Sequence, residues 1–274
     1  MDNYIISNSK NDPGRTDREP KSTVARAGAG SFRKKPKSNK LLDPEIEFLF
    51  CDSSFCVVNK PAGVPSQTQS NENDILTLVA KALNKPQDRL HLVNRLDQPV
   101  SGLMIIAFSK KAHASFEFLR QNGDIRKYYL AVTTNVPAAS SGSLQDHLLR
   151  NARKNKSEVV SAGSKGSKEA RLNWHKLAQA KDNEGHELAL LLIRLDTGRH
   201  HQIRVQLANA GWPIYGDRKY GQDLNPINEN IALLSYKLEF HHPVTGKEIS
   251  LRSNLPDNYP FSLFGSILSL DIKD

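Results

Sequence analysis

Asn94-Arg95-Leu96-Asp97-Gln98-Pro99-Val100-Ser101-Gly102-Leu103 is a polar loop that runs directly into an apolar stretch ending at Phe108. Residues 103–108 have the length and composition of a buried strand, so whatever the loop presents is held at the end of a sheet. A carboxylate beside an arginine in such a place is suited to act as nucleophile or base, because the cation favours its charge and the sheet fixes its position. Taken alone, Asp97 reads first as a turn residue accepting backbone hydrogen bonds, and only second as a catalytic group.

Outward from this loop the pattern stays globular from Leu41 on. Strand-like runs fall at residues 46–50, 55–58, 128–133, 188–195 and 231–240. Three helices are legible. Ile75, Leu78, Val79, Ala82 and Leu83 form an apolar stripe after Asp74, stopped at Lys85-Pro86; Ser109 caps a second helix that ends at Asn122-Gly123. A third is predicted from about His201 to Ala210, with Gly211 as its left-handed stop. Strands and helices without regular alternation predict an α+β fold.

The third helix opens with Thr197-Gly198-Arg199-His200-His201-Gln202-Ile203-Arg204, in which His201 and Arg204 are three residues apart and share one face. That face is fit to hold a carboxylate or phosphate; the plainer alternative is a surface helix with solvated Arg and His. Between Arg150 and Arg171 lie seven basic and two acidic residues with several Gly and Ser, which predicts an exposed loop or hairpin.

Net charge is +9, and residues 1–40 hold ten Lys/Arg against four Asp/Glu, so most of the excess is in that stretch. With few large apolar side chains, residues 1–40 are expected to be a disordered basic tail, and residues 41–274 one catalytic domain. A basic balance favours a polyanionic partner, although solvated charge gives the same total. Cys51 and Cys56 have neither the spacing nor the company for a zinc site or disulfide framework, which fits a reducing cytosol. No secretory leader and no membrane-spanning run is legible, so a cytoplasmic protein is expected. His200-His201 and His241-His242 are adjacent pairs that diverge along a helix or strand, and metal binding is not expected. Trp174 and Trp212 read as packing residues.

The Asn94–Leu103 loop resembles the H-R-L-D-x-x-T-S-G-L motif of RluA-type pseudouridine synthases, and further segments agree in order. Val57-Val58-Asn59-Lys60-Pro61-Ala62-Gly63 is similar to the family's V-x-N-K-P-A-G block, and Lys127-Tyr128-Tyr129-Leu130-Ala131 to its K-x-Y-L-A strand. Residues 197–207 resemble T-G-R-T-H-Q-I-R-V-H-L. Residues 213–221 resemble P-I-x-G-D-x-x-Y-G, and His242-Pro243-Val244-Thr245-Gly246 the late H-P-x-T-G turn. The resemblance spans about residues 46–256. It implies a mixed, largely antiparallel sheet with flanking helices and an RNA-binding cleft, working without metal or organic cofactor, with ribosomal or transfer RNA as partner; a monomer is expected.

The resemblance also assigns roles. Asp97 matches the catalytic aspartate, Arg204 the basic residue that pairs with and orients it, and Tyr129 the active-site tyrosine that stacks on uracil or assists loss of the C5 proton. Arg95, Lys127, Arg199, His201 and Gln202 are the expected RNA contacts, with Arg95 filling the stack vacated by an extruded base; a structural salt bridge is the competing reading for Arg95. Asn94, Gln98 and His200 depart from the family's usual His, Arg and Thr, and Ala232-Leu233-Leu234-Ser235 departs from A-L-H-A. Lys60-Pro61 reads as structural. The alternative to an isomerase is a catalytically silent RNA-binding or assembly protein of the same fold.

Overall fold

The computed structural model describes residues 46–68, 73–221 and 230–265. The tail expected over residues 1–40 lies outside them. Strands β1 (Glu47–Cys51) and β2 (Phe55–Lys60) form a hairpin whose turn is closed by Asp52, its Oδ1 accepting from the Ser54 and Phe55 amides at 2.6 and 2.9 Å. Helix α1 (Ile75–Leu83) follows, then the short β3 (His91–Leu92) and β4 (Ser101–Ala107). Helix α2 (Lys110–Asn122) leads to β5 (Arg126–Thr133). After these come β6 (Ser141–Asn151), β7 (Lys156–Val160), β8 (Lys168–Lys181), β9 (Glu187–Leu195), α3 (Gln202–Asn209), β10 (Leu233–His241) and β11 (Glu248–Arg252).

All the strands join one sheet in the order β1-β2-β4-β10-β5-β9-β8-β6-β7, with β11 paired to β10 and β3 to β4. Every pairing is antiparallel except β4 with β10. This is the expected mixed, largely antiparallel α+β fold. The central strands are buried on both faces, which explains why they read as continuous apolar runs. Along β2 and β4, Cys56, Val58, Met104 and Ile106 join a large core with α1, while Phe55, Val57, Leu103 and Ile105 join a second core with Phe116 of α2. Alternation at period two thus feeds two cores from the same strands.

The helix ends follow the sequence signals. Asp74 caps α1 by accepting from the Thr77 amide at 2.9 Å, and Ser109 caps α2 by accepting from Ala112 at 3.1 Å, each contributing about 1 kcal/mol. Gly123 closes α2 in the left-handed conformation. Within the basic stretch 150–171, residues 150–157 close the β6–β7 hairpin and residues 168–171 begin β8, which pairs with the other edge of β6. Ala170, Leu172 and Trp174 point inward on β8 and alternate with Arg171, Asn173 and His175, so charge on the outer face had hidden a period-two strand. Leu148 of β6 and Ala170 of β8 pack on Val205 of α3, which fastens these strands to that helix. Trp174 meets Trp212 edge to face at 5.0 Å, a packing contact as read from the sequence. No helix among the described residues is long and apolar enough to cross a membrane.

Candidate active site

The parallel pair β4–β10 brings the Asp97 loop beside the middle of the sheet. Ser101 and Gly102 stand opposite Leu234 and Ser235, and β5 lies on the other side of β10 with Tyr129 opposite Ser235. Gly102 has φ +113, and a Cβ there would come within 2.7 Å of the Ser235 nitrogen, so only glycine lets the two strands approach. The loop before β4 is tied down from several directions. Asn94 accepts from the Ile105 amide at 2.8 Å and donates to the Leu103 carbonyl at 3.3 Å, bracing the edge of β4. Gln98 exchanges bonds with Gly63, its side-chain Nε2 donating to Gly63 O at 3.0 Å and its main-chain carbonyl accepting from Gly63 N at 2.9 Å. Both departures from the family pattern therefore hold the Asp97 loop in shape.

Lys60 is fully buried, and its Nζ donates to the carbonyls of Pro61, Val64 and Gln98 at 2.9, 2.7 and 3.1 Å. Burial lowers its ammonium to about 7, against the pull of Asp97. The lysine read as structural thus staples the end of β2 to the residue after Asp97.

Asp97 Oδ2 accepts from Arg204 NH1 at 2.9 Å, and His201 Nε2 stands 3.6 Å from the same oxygen. Oδ1 has no protein partner among the described residues, and the side chain keeps 25% of its surface exposed. Arg204, by contrast, is 5% exposed, and its other edge is held by Asp217, with Nε to Oδ2 and NH2 to Oδ1 both at 2.8 Å. Burial alone would lower the Arg204 guanidinium, but the hydrogen bonds and charge of Asp217, with those of Asp97, carry it above its ordinary value. The solvated surface helix considered from the sequence is excluded, since residues 202–207 of α3 are all buried.

His201 precedes α3 in the left-handed conformation, φ 55 and ψ 25, which turns its ring back to the pocket. The Ser157 amide donates to Tyr220 Oη at 2.7 Å, leaving the phenol proton for His201 Nδ1 at 2.8 Å. Nδ1 is then the acceptor and Nε2–H faces Asp97. Burial lowers the imidazole to about 4; the charge of Asp97 opposes this, while Arg204 and His200 reinforce it. His200 stacks on His201 with ring centroids 3.7 Å apart and is anchored by Ser157 at 2.9 Å and Asn155 at 3.1 Å.

Tyr129 lies in the same pocket, with Arg95, Asp97, Arg199, His201 and Arg204 around it. Its hydroxyl bonds to Ser235, whose Oγ also stands 3.1 Å from the Leu103 carbonyl. Burial pushes the phenol up to about 12, and the nearby Asp97 charge adds to that rise against the Ser235 bond. Arg95 is exposed at the rim with no hydrogen bond or ion pair among the described residues, so the salt bridge considered for it is not formed.

The other residues expected to touch RNA divide. Arg199 is exposed and lines the pocket, although its Nε donates to Glu169 O at 2.8 Å. Gln202 is buried, with Oε1 accepting from Thr197 Oγ1 and the Arg199 amide at 2.8 and 3.0 Å and Nε2 donating to Arg171 O at 3.0 Å, so its polar atoms hold the turn. Lys127 lies outside this pocket, in a neighbouring cavity. Sequence reasoning assigned no role to Asp217, Ser235 or Tyr220. Asp217 and Tyr220 were within a matched motif and could have been flagged there; Ser235 fell where the motif broke down. Among the described residues no three His, Cys, Asp or Glu side chains are grouped to hold a metal ion.

A model of the RNA pseudouridylate synthase family matches residues 54–209. The chain is 31% identical over 208 residues to a Haemophilus influenzae protein called an uncharacterized RNA pseudouridine synthase, covering 72% of this chain and 83% of that one. It is 31% identical over 218 residues to the ribosomal large subunit pseudouridine synthase C of Rickettsia bellii, covering 77% and 69%. Human RNA pseudouridylate synthase domain containing 4 superposes with a TM-score of 0.64 at 25% identity, over 83% of this chain and 95% of that one. Human domain containing 1 gives 0.66 at 19% over 88% and 100%, a likeness of fold.

Proposed function

Because the chain belongs to the RNA pseudouridylate synthase family, whose members isomerise uridine in RNA, we propose that Asp97 is its catalytic carboxylate and ribosomal RNA its substrate. The relatives named for the large ribosomal subunit favour ribosomal over transfer RNA. The observation that carries the assignment of Asp97 is its pairing with Arg204 through one oxygen while the other has no protein partner among the described residues. A cytosolic monomer consisting of one catalytic domain and a basic tail, acting without metal or organic cofactor, completes the reading.

The reaction breaks the N1–C1′ bond, turns the uracil, joins C5 to C1′, removes the C5 proton and returns a proton to N1. Positive charge grows on the ribose as the first bond breaks, so an anionic oxygen close to C1′ lowers the barrier by electrostatics, by attack, or by removing the C2′ proton. Oδ1 is the oxygen available for each route. Arg204 fixes the rotamer of Asp97 from behind, and Asp217 fixes Arg204 in turn. His201 adds an uncharged N–H beside Asp97 and so orients it without neutralising it.

Tyr129 acts as a stacking platform in its neutral form. At about 12 its phenol stays protonated at neutral pH, which disfavours it as the base for C5. Arg95, free at the rim, swings into the stack left by the extruded uridine. Arg199 contacts the RNA at the mouth of the pocket, and Gln202 positions Arg199 rather than the RNA.

Asp97→Asn tests the reading, because it preserves size while removing charge and nucleophilicity. Pseudouridine should fall below detection in the purified variant while RNA affinity stays within about tenfold of wild type, about 1.4 kcal/mol. Turnover near the wild-type rate would transfer catalysis to another residue. A wild-type protein that binds RNA yet forms no pseudouridine would favour the silent RNA-binding alternative.

A further inference from the structure

Beside the Asp97 pocket lies a larger cavity, of about 420 Å³ against about 70 Å³, that shares Leu195 and Arg199 with it. Its size is in the range that holds small ligands. Five cations line it, Arg120 from the last turn of α2, Arg126 and Lys127 from the start of β5, Arg194 from the end of β9, and Arg199, against one carboxylate, Asp196. Three of these arginines have acidic neighbours, Arg120 with Glu117 at 2.8 Å, Arg194 with Asp196 at 3.4 Å and Arg126 with Glu239 at 3.8 Å.

Lys127 differs from them. It is half-buried and its ammonium makes no hydrogen bond or ion pair among the described residues, while burial and the charge of Arg120 lower it below its ordinary value. A solvated basic face accounts for Arg126 and Arg194, whose side chains are 67% and 51% exposed, but not for a cation drawn away from water toward other cations. An anion entering the cavity would resolve both the burial and the repulsion.

Position identifies the anion. Lys127 and Tyr129 are two residues apart on β5, so their side chains leave the same face about 7 Å apart along the strand. That spacing is of the order of one nucleotide step in an extended single strand. We propose that this cavity binds a phosphodiester of the substrate RNA, one or two nucleotides from the uridine held at Asp97, with Lys127 as its central contact. The inference rests on the assignment of Asp97 and Tyr129 to the target uridine.

The test is a set of substrate RNAs, each carrying one uncharged methylphosphonate linkage near the target, titrated against the full chain and its Lys127→Gln variant. One linkage within two nucleotides of the target should weaken wild-type binding by about five- to tenfold. The same linkage should cost Lys127→Gln less than about twofold, since its partner is gone. The variant's salt dependence on unmodified RNA should flatten by ~0.7 log unit for the lost contact. Arg194→Gln alters an exposed side chain and should blunt the same linkage, which keeps the test decisive if Lys127→Gln does not fold. Equal losses in wild type and variants, or no sensitive linkage, would overturn the site. So would RNA displacement by inorganic phosphate, abolished by Lys127→Gln, without a sensitive linkage, because the ligand would then be a free anion. Pseudouridine formation by wild type on the unmodified RNA is scored in parallel. Its presence alongside equal losses sinks the phosphate site alone, and its absence sinks the Asp97 reading together with the register built on it.

Discussion

Asp217 grips the edge of Arg204 that Asp97 leaves free, through two bonds of 2.8 Å, while Arg204 reaches Asp97 at 2.9 Å. Two carboxylates therefore share one buried guanidinium, and only Asp97 keeps a surface open to solvent, because Asp217 is 1% exposed. The charge balance of this trio makes Asp217 a positioning residue whose loss is felt twice, in folding and in the aim of Asp97.

Asp217→Ala should destabilise the fold by about 3–5 kcal/mol, since it leaves a buried guanidinium short of a partner. The milder Asp217→Asn, which keeps the side chain's size, should fold and still lower single-turnover rate at saturating RNA by about a hundredfold through misplacement of Arg204 and Asp97. Urea unfolding and single-turnover assays on the two variants check both effects; wild-type turnover in Asp217→Asn would show that Arg204 holds Asp97 unaided.

Gly102→Ala should cost about 2–5 kcal/mol, combining a left-handed backbone with a Cβ pressed on Ser235. Because Ser235 also stands opposite Tyr129 and bonds to its hydroxyl, turnover should fall further than thermal stability alone explains. A melting temperature near wild type would mean that β4 and β10 can part without loss.

His201 makes stability pH-dependent. Its folded value of about 4 lies below its ordinary 6.5, so the unfolded chain binds more protons between those limits. Its contribution is complete above about 6.5 and is lost as pH falls toward 4, at a cost of about 3 kcal/mol. Denaturant titrations across this window should show that slope in wild type and a flatter one in His201→Gln, which keeps an N–H donor but cannot titrate. Equal slopes would assign the pH dependence to other groups.

Arg95→Ala should leave the fold intact, because that side chain bonds to nothing among the described residues. Turnover should drop about tenfold on an RNA whose target uridine is stacked in a helix, and about twofold or less where it is already unstacked. Equal losses on both substrates would argue for a structural task.

Residues 94–103 were readable as a loop ending on a strand, and caps, periodicity and ordered motifs placed α1, α2, α3 and the central strands. These signals are local, written within one turn or a few alternations, and the resemblance named Asp97, Tyr129 and Arg204 before their meeting was visible. The strands β6 to β8 were less legible because β6 and β7 bury one residue each, and β8 buries every second residue only over residues 170–174. What only the tertiary structure decided is which distant partners complete each side chain. Asp217 behind Arg204, Ser235 under Tyr129, Tyr220 setting the tautomer of His201, and Lys127 bonded to nothing among the described residues all depend on β10 lying between β4 and β5 and on how α3 and the 214–221 turn pack beside them. Asp97 and Arg204 are 107 residues apart in the chain, and no local period encodes a contact of that separation; strand order and packing create it.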